Sequence, residues 1–162
     1  MDTAPIDTAP IDTAPIDTAP STQHPMNHLE EPPMSHAATT LDLLDRSRES
    51  LTSGYAASAA SARYLAASLA ALRAGAAIVA ARAATHPGAG LAARGNGPHD
   101  VWALTARVAP ELTEWAQRFA ASTGHRVGVE TGLVRVSARE ADDLLRDAET
   151  FVDLAARRLG VP

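Results

Sequence analysis

The residues able to do chemistry are few and scattered along the chain. His24 and His28 stand four apart, the spacing of two metal ligands, with His36 further on. Pro25, Pro32 and Pro33 flank them, so no stable helix holds these imidazoles as a preorganised ligand set, and no metal is expected there. Arg48 falls inside an apolar helical stripe. That placement suits a guanidinium aimed at a ligand anion, or one whose stem packs while its head reaches water or a neighbouring carboxylate. Arg73 interrupts an apolar run. Together with Arg107 and Glu111, these arginines are the candidate binding residues, each with a structural role as its alternative. Trp102 and Trp115 read as core anchors before they read as ligand platforms. No serine sits in a nucleophile elbow and no glycine run has phosphate-loop spacing. The absence of Cys removes disulfides and thiolate metal sites. No cofactor is expected.

Charge narrows the partners. Residues 1 to 36 carry Asp2, Asp7, Asp12, Asp17, Glu30 and Glu31 with no basic residue, whereas from Ala37 onward 14 arginines face 13 acids. A near-neutral domain lacks the general basic face that nucleic acid usually needs, although a local patch is compatible with it. All the basic residues are arginine, which with the alanine content points to a GC-rich genome. The N-terminus lacks the basic start and apolar core of a signal peptide. The most apolar window, Leu65 to Ala81, is mostly alanine and holds Arg73, while a spanning helix needs about 20 strongly apolar residues. The expectation is a cytoplasmic protein with no membrane partner.

These side chains must be positioned by helices. Ser61 to Ala84 reads as one long alanine-rich helix, apolar nearly all round and therefore central to a bundle. Leu65, Leu69, Leu72, Ala76 and Val79 form its narrow stripe. Before it, a helix from about Leu41 to Ala57 is expected, with Thr39 as cap and Leu41, Leu44, Leu51, Tyr55 and Ala59 as stripe. The short break near Ser58 forces an antiparallel pair. Residues 86 to 99 are the longest irregular connection, rich in Gly and Pro. Asp100 then caps a third helix from Val101, kinked or split at Pro110, where proline is tolerated as a first helical residue. Its end falls at Thr131-Gly132, or earlier if Val127 to Val136 is extended. Ser137 and Glu140 form a capping box for the last helix. There Ala141, Leu144, Leu145, Ala148, Phe151, Val152, Ala155 and Leu159 make an apolar arc. Its acids face the other way, and Asp142 with Arg146 and Asp153 with Arg157 have favourable four-residue spacing. That carboxylate-rich face is dense enough for a cation, but interleaved arginines argue against one.

The fold class is thus all-α, an antiparallel four-helix bundle over residues 39–160 after a low-complexity tail, 1–38. The tail repeats Asp-Thr-Ala-Pro-Ile through Pro20, and proline every fifth residue makes it disordered. It is either a tether or partner-binding tail, or a tandem duplication translated ahead of a true start at Met26 or Met34.

Three segments carry a family likeness: ARYLAASLAALRAGAAIVAARA at 62–83, VWALTARVAPELTEWAQRFAA at 101–121 and SAREADDLLRDAETFVDL at 137–154. Through them residues 41 to 159 resemble an actinobacterial branch of the HEPN superfamily (higher eukaryotes and prokaryotes nucleotide-binding). The resemblance implies a helical bundle, commonly dimeric. It also implies either an RNA-cleaving toxin or defence nuclease, or a binding module without catalysis. The nucleases use an arginine followed, after four to six residues, by a histidine. Arg94-Gly95-Asn96-Gly97-Pro98-His99 has that gap, and the resemblance would make His99 the general acid or base on a 2′-hydroxyl and Arg94 the phosphate clamp. The family motif lies on or beside the last helix, however, and here it lies in a Gly- and Pro-rich loop. The expected function is therefore a non-catalytic HEPN-like module, in a toxin or defence setting, binding a nucleotide, RNA or protein partner. The alternatives are a metal-independent ribonuclease using Arg94 and His99, and a scaffold that forms a homodimer.

Overall fold

A computed structural model describes residues 36–85 and 98–161, every secondary-structure element of which is helical. The chain divides into a unit Met1–Glu31 and a unit Pro32–Pro162, and the described residues belong to the second. The Asp-Thr-Ala-Pro-Ile repeat, with the disorder expected of it, and His24 and His28 lie outside the described residues, as does Arg94.

Among the described residues five helices follow one another: α1 His36–Ala56, α2 Ala60–Thr85, α3 Pro98–Val108, α4 Thr113–Glu130 and α5 Ala138–Leu159, with a 3-10 turn Pro110–Leu112 between α3 and α4. The chain is all-α, and its third expected helix is split at Pro110. The split is a reversal and not a kink, because Trp102 Nε1 in α3 donates to Thr123 Oγ1 in α4 at 2.9 Å. Two expected caps lie inside helices instead. Thr39 and the buried Thr40 belong to α1, whose start is carried back by the helix-forming Ala37 and Ala38. Asp100 lies in α3, which opens on Pro98, a residue tolerated at the first helical position.

Helix α2 packs against all four other helices, as its all-round apolarity requires. It runs antiparallel to α1: Ser47 Oγ donates to the Ala70 carbonyl at 2.7 Å, and Arg73 Nη1 donates to Ser50 Oγ at 2.6 Å and the Arg46 carbonyl at 2.8 Å. It runs parallel to α5, since Arg63 pairs with Asp142 near one end. Near the other end Arg82 and Arg158 share the carboxylate of Glu111.

The contact faces match the expected stripes only in part, through Leu44, Leu51 and Val79. In α2 the buried residues are Tyr64, Ser68, Gly75, Ile78, Val79 and a run of alanines, whereas Leu65, Leu69, Leu72 and Ala76 are only half-buried. In α1 the buried line is Thr40, Leu44, Ser47, Leu51 and Gly54, with Ser50 beside it, while Leu41 and Tyr55 are 47% and 55% exposed and Ala59 lies outside the helix. Small side chains let two backbones approach closely, so the interface follows them and leaves the bulky stripe at its edge. At Gly54 α1 comes close to both α2 and α5: an added Cβ would lie 3.5 Å from Ala66 Cβ and 2.8 Å from Leu145 Cδ1.

Bulk is concentrated elsewhere. Both tryptophans and both phenylalanines of the chain, Trp102, Trp115, Phe119 and Phe151, form one cluster with ring centroids 5.2–6.0 Å apart. Such pairs add about 0.5–1.5 kcal/mol each beyond burial. The cluster locks the α3–α4 hairpin onto α5, whose apolar arc is buried from Ala141 through Ala155, with Leu159 half-buried.

Candidate functional site

Among the described residues a groove of about 370 Å³ lies between α4, α5 and the loop joining them, with Tyr64 of α2 in its lining. Local sequence builds it. Helix α4 stops because Gly132 adopts φ +75°, a left-handed turn that glycine enters without steric cost. Gly132 N–H then reaches the Val129 carbonyl at 3.1 Å, and Val134 N–H the Gly128 carbonyl at 2.8 Å. Gly128 leaves room for this return, since a Cβ there would lie 2.5 Å from Val134 Cγ2. The extended alternative for Val127 to Val136 gives way to helix through Glu130 followed by this compact fold-back.

The capping box then starts α5 as the sequence requires. Ser137 Oγ accepts from Glu140 N–H at 3.2 Å, and Glu140 Oε2 accepts from Ser137 N–H at 2.8 Å. Bonds from the Ser137 hydroxyl and from its N–H hold the Glu140 carboxyl below the usual range, with a smaller contribution from the His125 charge. Glu140 is therefore an anion at neutral pH, on the groove's rim.

Between the two helices the loop presents Leu133, 85% exposed, beside Val127 at 68% and Val134 at 39%. Val134 also lines the groove, together with the buried Tyr64 and Leu144. Burial raises the Tyr64 phenol above its ordinary value, and the nearby Glu140 charge adds to this. Its hydroxyl donates to the Ser122 carbonyl at 3.2 Å.

The α4 side also holds a pair that the Arg94–His99 match overshadows. Six residues separate Arg118 from His125, within the same four-to-six spacing. Seven positions apart, they share one helix face about 10.5 Å apart along the axis. Arg118 donates to Asp147 of α5 at 2.8 Å and lies 5.8 Å from the Trp115 ring centroid. Exposed His125 lines the groove with Glu140. The spacing alone would have found this pair in the segment RFAASTGH.

The expected binding residues do not converge. Half-buried Arg48 pairs with Asp45 of its own helix at 3.4 Å. Arg73 fastens α2 to α1 through the bonds given above. Arg107 is exposed in the last turn of α3. Glu111 accepts from Arg158 at 3.0 Å and lies 4.0 Å from Arg82. Nine positions, about 13 Å of helix, separate Arg73 from Arg82, so Arg73 and Glu111 serve different junctions. Arg94 and the side chain of His99 lie outside the described residues. On α5, Asp142 turns to Arg63 and not to Arg146, which bonds Asp143 at 2.7 Å. Crossing to α2 is possible because Asp142 borders the parallel contact.

A family model described as SAV_6107-like HEPN matches residues 54–156. No curated protein and no solved structure matches the chain.

Proposed function

The chain belongs to the SAV_6107-like HEPN family, and on that premise we propose that it is a non-catalytic binding module whose partner is a protein. One observation carries this reading: Leu133, Val127 and Val134 are large apolar side chains left exposed at and beside the turn that ends α4, and Val134 also lines the groove between α4 and α5. Contiguous exposed apolar surface beside a polar rim is the usual mark of a protein contact. The arginines support the same choice. Arg46, Arg48, Arg63, Arg82, Arg118, Arg139, Arg146 and Arg158 are each engaged by a carboxylate of the chain. Phosphate binding draws on a basic face, and interleaving these arginines with carboxylates assembles no such face.

The test is affinity capture with the full chain and with Leu133→Asp, beside a thermal-shift screen against nucleotides and short RNAs. The reading expects a captured protein that the variant loses and no shift with nucleotide or RNA. Capture that is unchanged in Leu133→Asp, or no captured protein, would reject it.

A second reading rests on Arg118 and His125 sharing one face of α4. In a ribonuclease, His125 would exchange the proton of a 2′-hydroxyl and Arg118 would steady the phosphate. Asp147 neutralises Arg118, and Glu140 and Asp143 on the groove's rim repel a phosphodiester, which is why this reading stands second. RNA cleavage by the full chain that disappears in His125→Ala and persists in His99→Ala would promote it. Loss in His99→Ala instead would return the reaction to Arg94 and His99.

A further inference from the structure

Leu133 marks one surface of this chain, and α2 offers another. Leu65, Leu69, Leu72, Ala76, Ala80 and Ala83 fall within one sector of α2 about 80° wide, and all six are half-buried. No charged side chain of the helix falls inside that sector, although no neighbouring helix fully covers it. Helix α1 borders the sector on one side, where it meets Ala70 and Arg73. The α3–α4 hairpin borders it on the other, where Gly75 faces Trp102 and Tyr64 bonds to the Ser122 carbonyl. These two contacts lie nearly half a turn apart around α2, so α1, α2 and the hairpin share one face with the sector along its middle. We infer that a second copy of this chain covers this face, its α2 antiparallel to the first.

Steps of three and four positions from Leu65 to Ala83 are those of a seam between two helices, here about 27 Å long. The seam is tapered, since its first half is leucine and its second half alanine. Two parallel copies would match leucine with leucine at one end and alanine with alanine at the other, and the helices would splay. Turned end for end about a two-fold axis near Ala74, Leu65 meets Ala83, Leu69 meets Ala80 and Leu72 meets Ala76. Each layer then holds one large and one small side chain, and the axes stay about 8–10 Å apart along the whole seam. A two-fold interface needs one patch that complements itself, and this taper does.

The same order of residues argues against a foreign helix, which would need its own bulk arranged in reverse. Nor does the sector hold a charge that could select one. Arg73, at the α1 edge near the two-fold axis, approaches its own copy there. Its bonds to Ser50 Oγ at 2.6 Å and the Arg46 carbonyl at 2.8 Å hold the guanidinium over α1 and off the seam. This face is separate from the groove between α4 and α5, which reaches α2 at the buried Tyr64. Either surface can therefore fail without the other.

Light scattering of the full chain at micromolar concentration is expected to give a dimer, which Leu133→Asp leaves intact. Leu69 lies outside the core cluster. Leu69→Glu is therefore expected to keep the helical circular dichroism of the wild type and to raise the dimer dissociation constant at least about 100-fold, because each dimer would bury two unpaired carboxylates. The chain has no cysteine, so introduced thiols report the register even where Leu69→Glu disturbs folding. Leu65→Cys combined with Ala83→Cys is expected to give a covalent dimer on oxidation. Ala83→Cys alone is expected to give none, since its two copies lie about 27 Å or more apart. A monomeric wild type, a dimer that survives Leu69→Glu, or cross-linking by Ala83→Cys alone would overturn the inference.

Discussion

Leu133→Ala separates binding from folding more cleanly than any other single change in this chain. The substitution removes three carbons, each worth about 0.8 kcal/mol when fully buried. Because Leu133 is already 85% exposed, nearly all of that transfer is available to a partner and almost none is used by the fold. The expected loss on docking is about 2 kcal/mol, or roughly 30-fold in affinity. The expected loss of folding stability is within about 0.5 kcal/mol, as for surface substitutions away from caps and buried networks. Leu112→Ala is the reciprocal control: Leu112 is 2% exposed, and truncating a buried leucine costs about 2–5 kcal/mol. The assay pairs quantitative capture of the partner protein with chemical denaturation of the same samples. A Leu133→Ala variant that melts as readily as Leu112→Ala, or binds as tightly as the wild type, would refute the assignment of this loop to a partner.

Four further outcomes follow from the packing. Ser68 is 3% exposed and its hydroxyl has no hydrogen-bond partner among the described residues, so Ser68→Ala is expected to stabilise the chain by about 1 kcal/mol in urea titration. Ser137→Ala removes the box that starts α5 and is expected to cost about 1 kcal/mol in the same titration. The box also sets a pH dependence. The Glu140 carboxyl lies below its ordinary value when folded, so its stabilisation is present above the unfolded carboxylate range, near pH 4.3, and is lost as pH falls through the folded value. Thermal melts from pH 6 downward should show that loss in the wild type and a shallower slope in Ser137→Ala. Finally, the half-buried stripe of α2 makes a self-association surface testable: if it joins two copies, Leu69→Glu converts a dimer to a monomer in light scattering, and a wild type already monomeric at micromolar concentration contradicts it.

Much of the fold was legible where one residue has one physical outcome. Ser137 and Glu140 announce a helix start, and both hydrogen bonds of the box are present. Pro110 ends α3, and Thr131-Gly132 ends α4. An all-round apolar α2 had to be central, and it is. The caps at Thr39 and Asp100 were misplaced because a good capping residue is only a local preference. Ala37 and Ala38 before Thr39, and Pro98 before Asp100, continue the helix past it. Contact faces were misplaced for a different reason. A stripe drawn through Leu65, Leu69 and Leu72 assumes that large side chains mark the interface. Where alanine, serine and glycine allow closer approach, the smaller face is buried and the larger one is displaced to the edge.

The same physics explains why the site was harder to read than the fold. Arg73 was chosen for standing in an apolar run, and here it is a fastener that holds α1 to α2, while Glu111 joins the ends of α2 and α5 through Arg82 and Arg158; Arg48 pairs within its own helix and Arg107 is exposed. A helix of small residues has short side chains for most of its surface, so the few long ones reach across to neighbouring helices and spend their hydrogen bonds there. The groove is built from the opposite circumstance. Gly132 turns the chain and Gly128 clears a path, so that aliphatic side chains of the seven-residue connection 131–137 are left at the surface. Sequence periodicity reports on residues inside regular elements and is blind to this return. Its signal lay instead in composition, in valines and a leucine placed around a glycine turn where polar residues would have served the fold equally well. A surface kept apolar where folding does not need it is the reason to place the function of this chain between α4 and α5.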